Sequence, residues 1–213
     1  MPVIVVANPK GGVGKSTLAT NIAGYYAARG HSVMLGDVDK QQSSRTWLKL
    51  RPQGLAPIQS WDVSEDHVVT PPRGTTHVVL DTPAGLHGKR LDAVLRIADK
   101  VLIPLQPSIF DIHATHQFLE DLRRHRRASA ISFALAGIRT REGQISTDQL
   151  RSYLSGVELP VLAFLRETQN YVHLSAHGRT LWDMPPSRFQ RDLEQWQWLT
   201  AWLDDQAADA EAA

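Results

Sequence analysis

Hydrophobic positions in this chain follow two rhythms. Short unbroken apolar runs, rich in β-branched residues, recur at 3–7 (VIVVA), 31–37, 76–81, 100–108, 131–138 and 160–166. Runs of that length read as strands buried on both faces, as in a parallel sheet. Between them the apolar positions take helical spacing. These stretches are 16–30, closed by Gly30; 41–51, stopped by Pro52; 89–98; 111–127; 146–155, opened by a Ser/Thr/Asp cap; and 187–205. Residues 52–75 are rich in Pro and Gly and read as loop with one short strand near Ile58–Trp61. Alternating strands and helices predict an α/β fold, a mostly parallel twisted sheet flanked by helices on both faces. The expected organisation is one domain over 1–205 and a fraying acidic tail over 206–213. No internal repeat is visible.

Composition narrows the chemistry. With 213 residues and 42% hydrophobic content, the chain can bury a real core. The formal net charge of +1 gives no overall attraction to nucleic acid or anionic lipid, so any such binding must come from a local patch. Zero cysteines exclude disulfides, cysteine-held zinc and iron–sulfur clusters, and suit a reducing compartment. The first apolar strand starts at Val3, which leaves no room for a signal peptide, and no run has the length of a membrane span. A cytoplasmic address is expected.

The stretch NPKGGVGKST (8–17) carries the strongest chemical signal. Gly11, Gly14, Lys15 and Ser16 fit the phosphate-loop pattern G-x-x-x-x-G-K-[ST], here between a predicted strand and a predicted helix. Gly11, Gly12 and Gly14 let backbone N–H groups converge on phosphate oxygens, and the helix N-terminus adds partial positive charge. Lys15 would pair with the outer phosphates, and the Ser16 hydroxyl would ligate Mg²⁺. Asp81 ends the run HVVLD, where a carboxylate points into the ligand crevice of such sheets and can serve Mg²⁺. Asp37 and Asp39 follow the second strand; two residues apart on an extended chain, they would point the same way. One could orient the attacking water and the other support the metal. Lys10 is a second lysine in the loop with no role in the general pattern.

KGGVGKST, DVDKQQS, DTPAG and VLIPLQPSIFD, in that order, resemble the ParA/MinD family of deviant Walker A ATPases, over 1–141 and weakly beyond. The likeness is to small ParA-like partition and cargo-positioning members without an extra N-terminal DNA-binding domain. The resemblance implies ATP and Mg²⁺ as cofactors. It assigns the nucleotide to Lys10, Gly11, Gly12, Val13, Gly14, Lys15, Ser16 and Thr17, and the metal to Ser16, Asp37 and Asp81. Lys10, Lys15 and Asp39 become the catalytic residues: Lys10 reaches the other subunit's nucleotide across an ATP-dependent homodimer, and Asp39 positions water. Thr140 and Arg141 fall where the family places a loop against the base. Lys40 stands where the family commonly has proline, a departure that bears on the shape of that loop. A GTPase would want an N-K-x-D motif, which is absent, and the cysteine-bridged nitrogenase-type iron protein is excluded.

Within this family the ATP-bound dimer binds either DNA without sequence preference or, in MinD-like members, membrane through a C-terminal amphipathic helix. The resemblance further implies a stimulating adaptor with a basic N-terminal segment, and a nucleoid-associated location with ATP. The last helix has an apolar stripe of Phe189, Leu193, Trp196, Leu199, Trp202 and Leu203, but it runs into LDDQAADAEAA. Acidic residues are repelled by an anionic bilayer, so core or dimer packing is the better reading and membrane binding is not expected. DNA binding needs clustered arginines. The candidates are Arg123, Arg124, Arg126 and Arg127 in LRRHRR, with Arg166, Arg179 and Arg188 from the C-terminal third.

Overall fold

A computed structural model describes residues 1–64, 67–68 and 71–205; the acidic tail expected at 206–213 lies outside the described residues. The strands are β1 (Val3–Val6), β2 (Val33–Asp37), β3 (Ile58–Trp61), β4 (Val63–Ser64), β5 (His67–Val68), β6 (His77–Asp81), β7 (Lys100–Leu105), β8 (Ser132–Thr140) and β9 (Val161–Arg166). The helices are α1 (Lys15–Ala28), α2 (Ser43–Leu50), α3 (Gly88–Ile97), α4 (Ile109–Arg124), α5 (Ile145–Ser155), α6 (Gln169–Ala176), α7 (Gln190–Glu194) and α8 (Gln197–Leu203).

Seven strands form one all-parallel sheet in the order β3-β2-β6-β1-β7-β8-β9, while β4 and β5 pair antiparallel on their own. Strand pleating sorts the two cores. Ile4, Val6, Val33 and Leu35 face one cluster, with α1, Trp47, Leu174 and Trp196; Val3, Val5 and Met34 face the other, with Leu95, Phe118 and Leu150 of α3, α4 and α5. Because both faces are covered, the strands read as continuous apolar runs rather than alternating ones. Strand order reverses around β1, whose two neighbours are β6 and β7. Ligands of open α/β sheets bind at the carboxyl ends of strands beside such a switch point.

Three expectations on element bounds need correction. The strand expected over 100–108 stops at Leu105, and the helix expected over 111–127 stops at Arg124, so LRRHRR is not one helical run. The final helix expected over 187–205 is instead a short 3₁₀ turn, α7 and α8. Its apolar stripe is core nonetheless: Phe189, Trp196, Leu199 and Leu203 are buried, with Leu193 and Trp202 packed against them. Helix α6 and the 3₁₀ turn Leu181–Asp183 stand between the last strand and the C-terminal helices, where local pattern predicts no element. Among the described residues, no helix is long and apolar enough to cross a membrane.

Candidate nucleotide site

The loop between β1 and α1 is lashed from both flanks. On the β7 side, the buried Asn8 side chain donates to the Pro104 carbonyl (2.7 Å) and Thr115 Oγ1 (3.0 Å), and Gln106 donates to the Gly12 carbonyl (2.7 Å). On the β6 side, Thr82 Oγ1 donates to the Val6 carbonyl (2.8 Å) and the Gly85 amide to the Pro9 carbonyl (2.7 Å). Gly14 enters α1 at φ 74, a left-handed conformation costly for other residues, and an added Cβ would lie 2.6 Å from Ile138. The first-turn amides of α1 are the orphan donors that every helix leaves, here opening onto the crevice.

Lys15 is 7% exposed, and its ammonium donates to the Lys10 carbonyl at 2.7 Å. Burial lowers its pKa, while the charges of Asp81 and Asp39 pull it back up. Lys10 takes a different environment. Its amide donates to Asn8 Oδ1 (2.8 Å), and its positive charge lowers the pKa of Asp111, which burial raises. The two lysines of the loop therefore do not share one position.

Asp81 ends β6 directly beside Asp37, its register partner on β2. It is 1% exposed. Oδ2 accepts from Ser44 Oγ at 2.6 Å, but Oδ1 has no hydrogen-bond partner. Burial raises the Asp81 pKa to about 6, reinforced by the Asp37 charge and opposed by the hydroxyls of Ser16 and Ser44. A buried, unpartnered carboxylate oxygen next to a phosphate loop is what a hard cation with oxygen ligands would satisfy. Ser16 and Asp81 thus fit Mg²⁺, which would take its remaining ligands from phosphate and water, since among the described residues no group of three or more acids or histidines could hold a metal.

Asp37 has a second task. Its carboxylate accepts from the amides of Asp39 (2.9 Å), Ser44 (2.8 Å) and Arg45 (3.3 Å), so it caps α2 from a distance. The helix needs this because Gln42, its N-cap residue, makes no side-chain cap and sits at φ 49. Burial raises the Asp37 pKa and these amides lower it. β2 ends at Asp37, so Asp39 lies on a turn rather than along an extended strand; its own carboxylate accepts from the Gln41 amide (3.0 Å). The extended-chain argument for a shared direction does not hold.

The two base-side candidates stand in different surroundings: Thr140 is buried, with its hydroxyl on the Leu165 carbonyl (3.2 Å), and Arg141 pairs with Glu167 at a cavity that shares Arg166 and Glu167 with the one beside Gly14. The cavity that adjoins Gly14 and Thr17 has about 270 Å³ and is lined by Ile138, Arg139, Leu165, Glu167, Gln169 and Tyr171, among others. Arg139 holds φ 52, an uncommon conformation for a non-glycine residue. Sequence reasoning missed these residues, together with Asn8, Ser44 and Gln106, because none belongs to the loop pattern. The buried polar Asn8 beside the glycines was the one local signal.

The arginine candidates scatter. Arg123 and Arg124 pair with Glu120 (3.1 and 3.6 Å), and Arg127 donates to the Leu95 and Arg96 carbonyls, closing α3. Arg166 makes an ion pair with the buried Asp192 (2.6 Å). Arg126 is exposed. Arg179 and Arg188 line a cavity that shares no residue with the nucleotide loop.

Comparison with known proteins bears on this geometry. Residues 4–181 match the family described as the CobQ/CobB/MinD/ParA nucleotide binding domain. The chain is 36% identical over 119 residues to "Maintenance of carboxysome distribution protein A" of Gloeobacter kilaueensis, covering 52% of this chain and 51% of that one. It is 30% identical over 133 residues to "Protein ParA" of Rhizobium radiobacter, covering 60% and 59%. The chain thus spans little more than half the length of these curated relatives. A plasmid partition protein of Borrelia burgdorferi B31, solved with AMPPNP, superposes with a TM-score of 0.74 at 18% identity, over 96% of this chain and 99% of that one; that likeness is one of fold.

Proposed function

Because this chain belongs to the CobQ/CobB/MinD/ParA nucleotide-binding family, we propose that it is an ATPase that dimerises on ATP and positions DNA or a protein cargo by binding DNA without sequence preference. The observation that supports it most is the division of labour in the loop. Lys15 is buried and turned back onto its own loop, where a phosphate would compete with the Lys10 carbonyl for its ammonium. The Lys10 charge is felt at Asp111, away from that cradle, and would be offered to a nucleotide held by a second copy. Two facing nucleotides concentrate negative charge, and a lysine from each subunit offsets it.

Ser16 and Asp81 would hold Mg²⁺, with Asp37 behind them. The ion would supply charge neutralisation at the outer phosphates. Asp37 caps α2, and α2 carries the Ser44 hydroxyl that rests on Asp81. A change at Asp81 would thereby reach α2 and the turn before it through Ser44. Asp39, on that turn, would orient the attacking water. Hydrolysis is expected to be slow alone and faster with an adaptor that carries a basic N-terminal segment.

No single arginine cluster carries the DNA contact: Arg141, Arg151, Arg166 and Arg191 line one cavity of about 320 Å³, but Glu142, Asp148 and Glu167 line it too, and Arg141 and Arg191 pair with two of these acids, so the DNA reading rests on the family rather than on this surface. The relatives' names, carboxysome distribution and ParA, favour cargo positioning over metabolic catalysis. The apolar stripe that a bilayer-binding helix would need is occupied in the core.

The test is co-sedimentation with nonspecific duplex DNA under ATP, ADP and no nucleotide, with anionic liposomes run alongside. ATP-dependent DNA binding that weakens with salt is expected. Liposome binding without DNA binding, or neither, would overturn the DNA reading.

A further inference from the structure

A cavity of about 500 Å³ opens between the end of α2, helix α6 and the chain leading to Phe189. Its floor is apolar, from Leu174, Met184 and Phe189, and Leu50 and Pro52 form one wall. Its rim is cationic or imidazole: Arg179, Arg188, His173 and His177. Among the described residues, no aspartate or glutamate lines it.

The walls are preformed. Arg51 makes a bidentate pair with Asp183 (2.8 and 2.9 Å), and the two side chains are only 6% and 3% exposed. Arg51 also donates to the carbonyls of Ala56 and Gly178, and Asp183 accepts from the amide and hydroxyl of Thr180, both at 2.7 Å. At Gly178, φ is 63 and a Cβ would lie 2.4 Å from the Leu50 backbone, so α2 and the end of α6 touch main chain to main chain. This charge pair neutralises itself beneath the cavity and leaves the rim cations unopposed.

The rim cations are unlike most other arginines of the C-terminal third. Arg141, Arg166 and Arg191 each meet a carboxylate. Arg179 reaches only Met184 Sδ (3.6 Å), and Arg188 stands 5.7 Å over the Phe189 ring. Among the described residues, neither has an acidic partner. His177 Nδ1 donates to the His173 carbonyl (2.8 Å), and the two rings lie 4.8 Å apart at the mouth.

We propose that this cavity docks an acidic peptide segment of another protein. One bulky apolar side chain would fill the floor, and flanking carboxylates would meet Arg179 and Arg188. An apolar centre with a charged rim is the anatomy of a protein interface, and a preformed concavity of this size suits one anchor side chain. A duplex presents phosphates to rows of cations and gains nothing from a greasy floor. Charge complementarity selects acidic over basic segments. The site goes beyond the ATPase reading and does not depend on it.

The experiment is fluorescence anisotropy with a short labelled peptide alternating Asp/Glu with Leu/Phe, beside the same peptide with Lys in place of the acids. Saturable binding of the acidic peptide alone is expected. Arg179→Glu with Arg188→Glu should weaken it at least about tenfold, as loss and reversal of paired charges do. Ala176→Trp, at an exposed position on the lining, should abolish it by filling the mouth. Equal binding of the Lys peptide, indifference to these variants, or displacement by duplex DNA through the same arginines would overturn the proposal. Thermal melts and circular dichroism of the same samples report folding, and ATP binding, measured beside them, tests the nucleotide reading separately.

Discussion

Replacing Asp81 with asparagine should make the nucleotide-free protein more stable at pH 8 while destroying its response to Mg²⁺ and ATP. Burial moves the carboxyl from its ordinary 3.8 to about 6. At 1.4 kcal/mol for each tenfold, keeping it ionised costs the folded state about 3 kcal/mol. The side chain is 1% exposed, so water screens little of this. The sign follows from the raised value: the penalty is absent below pH 3.8, grows between 3.8 and 6, and is complete above 6. Asparagine removes it but adds an amide N–H₂ where Oδ1 has no partner, returning about 1–2 kcal/mol. The net gain is about 1–2 kcal/mol, or roughly 3–6 °C in melting temperature for a domain of this size. Thermal melts of both proteins at pH 5 and pH 8, with and without Mg²⁺–ATP, measure it. The gain should shrink toward pH 5, and ligand should raise only the parent's melting temperature. An asparagine variant that melts below the parent by the same margin at both pH values would show that the carboxylate is not strained, and the argument for a metal at Oδ1 would lose its footing.

Three further outcomes are expected. Lys10→Ala should leave ATP binding by the monomer intact but weaken ATP-dependent dimerisation at least about tenfold in analytical ultracentrifugation, as loss of a desolvated charge contact does; a dimer as tight as the parent's would remove the trans role. Asp183→Ala leaves the Arg51 guanidinium buried and unpaired and should cost about 3–5 kcal/mol in chemical denaturation; a loss below 1 kcal/mol would mean that water or backbone carbonyls already suffice. His77 stacks on Tyr26 (4.0 Å) near His31, and burial together with the charges of His31, the N-terminus and Lys100 lowers its pKa to about 4, with Asp204 opposing. For a base with a depressed folded value, stability is full above pH 6.5 and falls as pH drops toward 4. His77→Gln should therefore flatten the melting temperature between pH 6.5 and 4.5, and an unchanged slope would assign acid sensitivity elsewhere.

Local pattern was enough to place the glycine-rich loop between a strand and a helix, Asp81 at a strand end, and most strands of the sheet. A strand buried on both faces must be apolar at every position, and a backbone that wraps phosphate must be glycine-rich, so both leave marks within a few residues. The same reasoning failed where a residue's role depends on distant chain. Arg127 and Arg166 look like free cations in sequence, yet one closes α3 and the other pairs with Asp192, 26 residues away. Asp37 looks like a metal-site acid and is also the cap of a helix that begins six residues later. The cavity beside Gly14 joins residues near 14, 138 and 169, and no spacing rule connects them. The break between α7 and α8 is likewise a packing outcome: it lets Trp196 bury its ring, with Nε1 on the Tyr171 hydroxyl (2.9 Å). Sequence alone thus determined that a nucleotide loop, its lysines and an acid at a strand end would stand in an α/β sheet, because those demands are local and steric. Which charges stay unpaired, where cavities open and which carboxylate oxygen lacks a partner were decided by tertiary structure, because electrostatics and burial depend on neighbours brought from far along the chain.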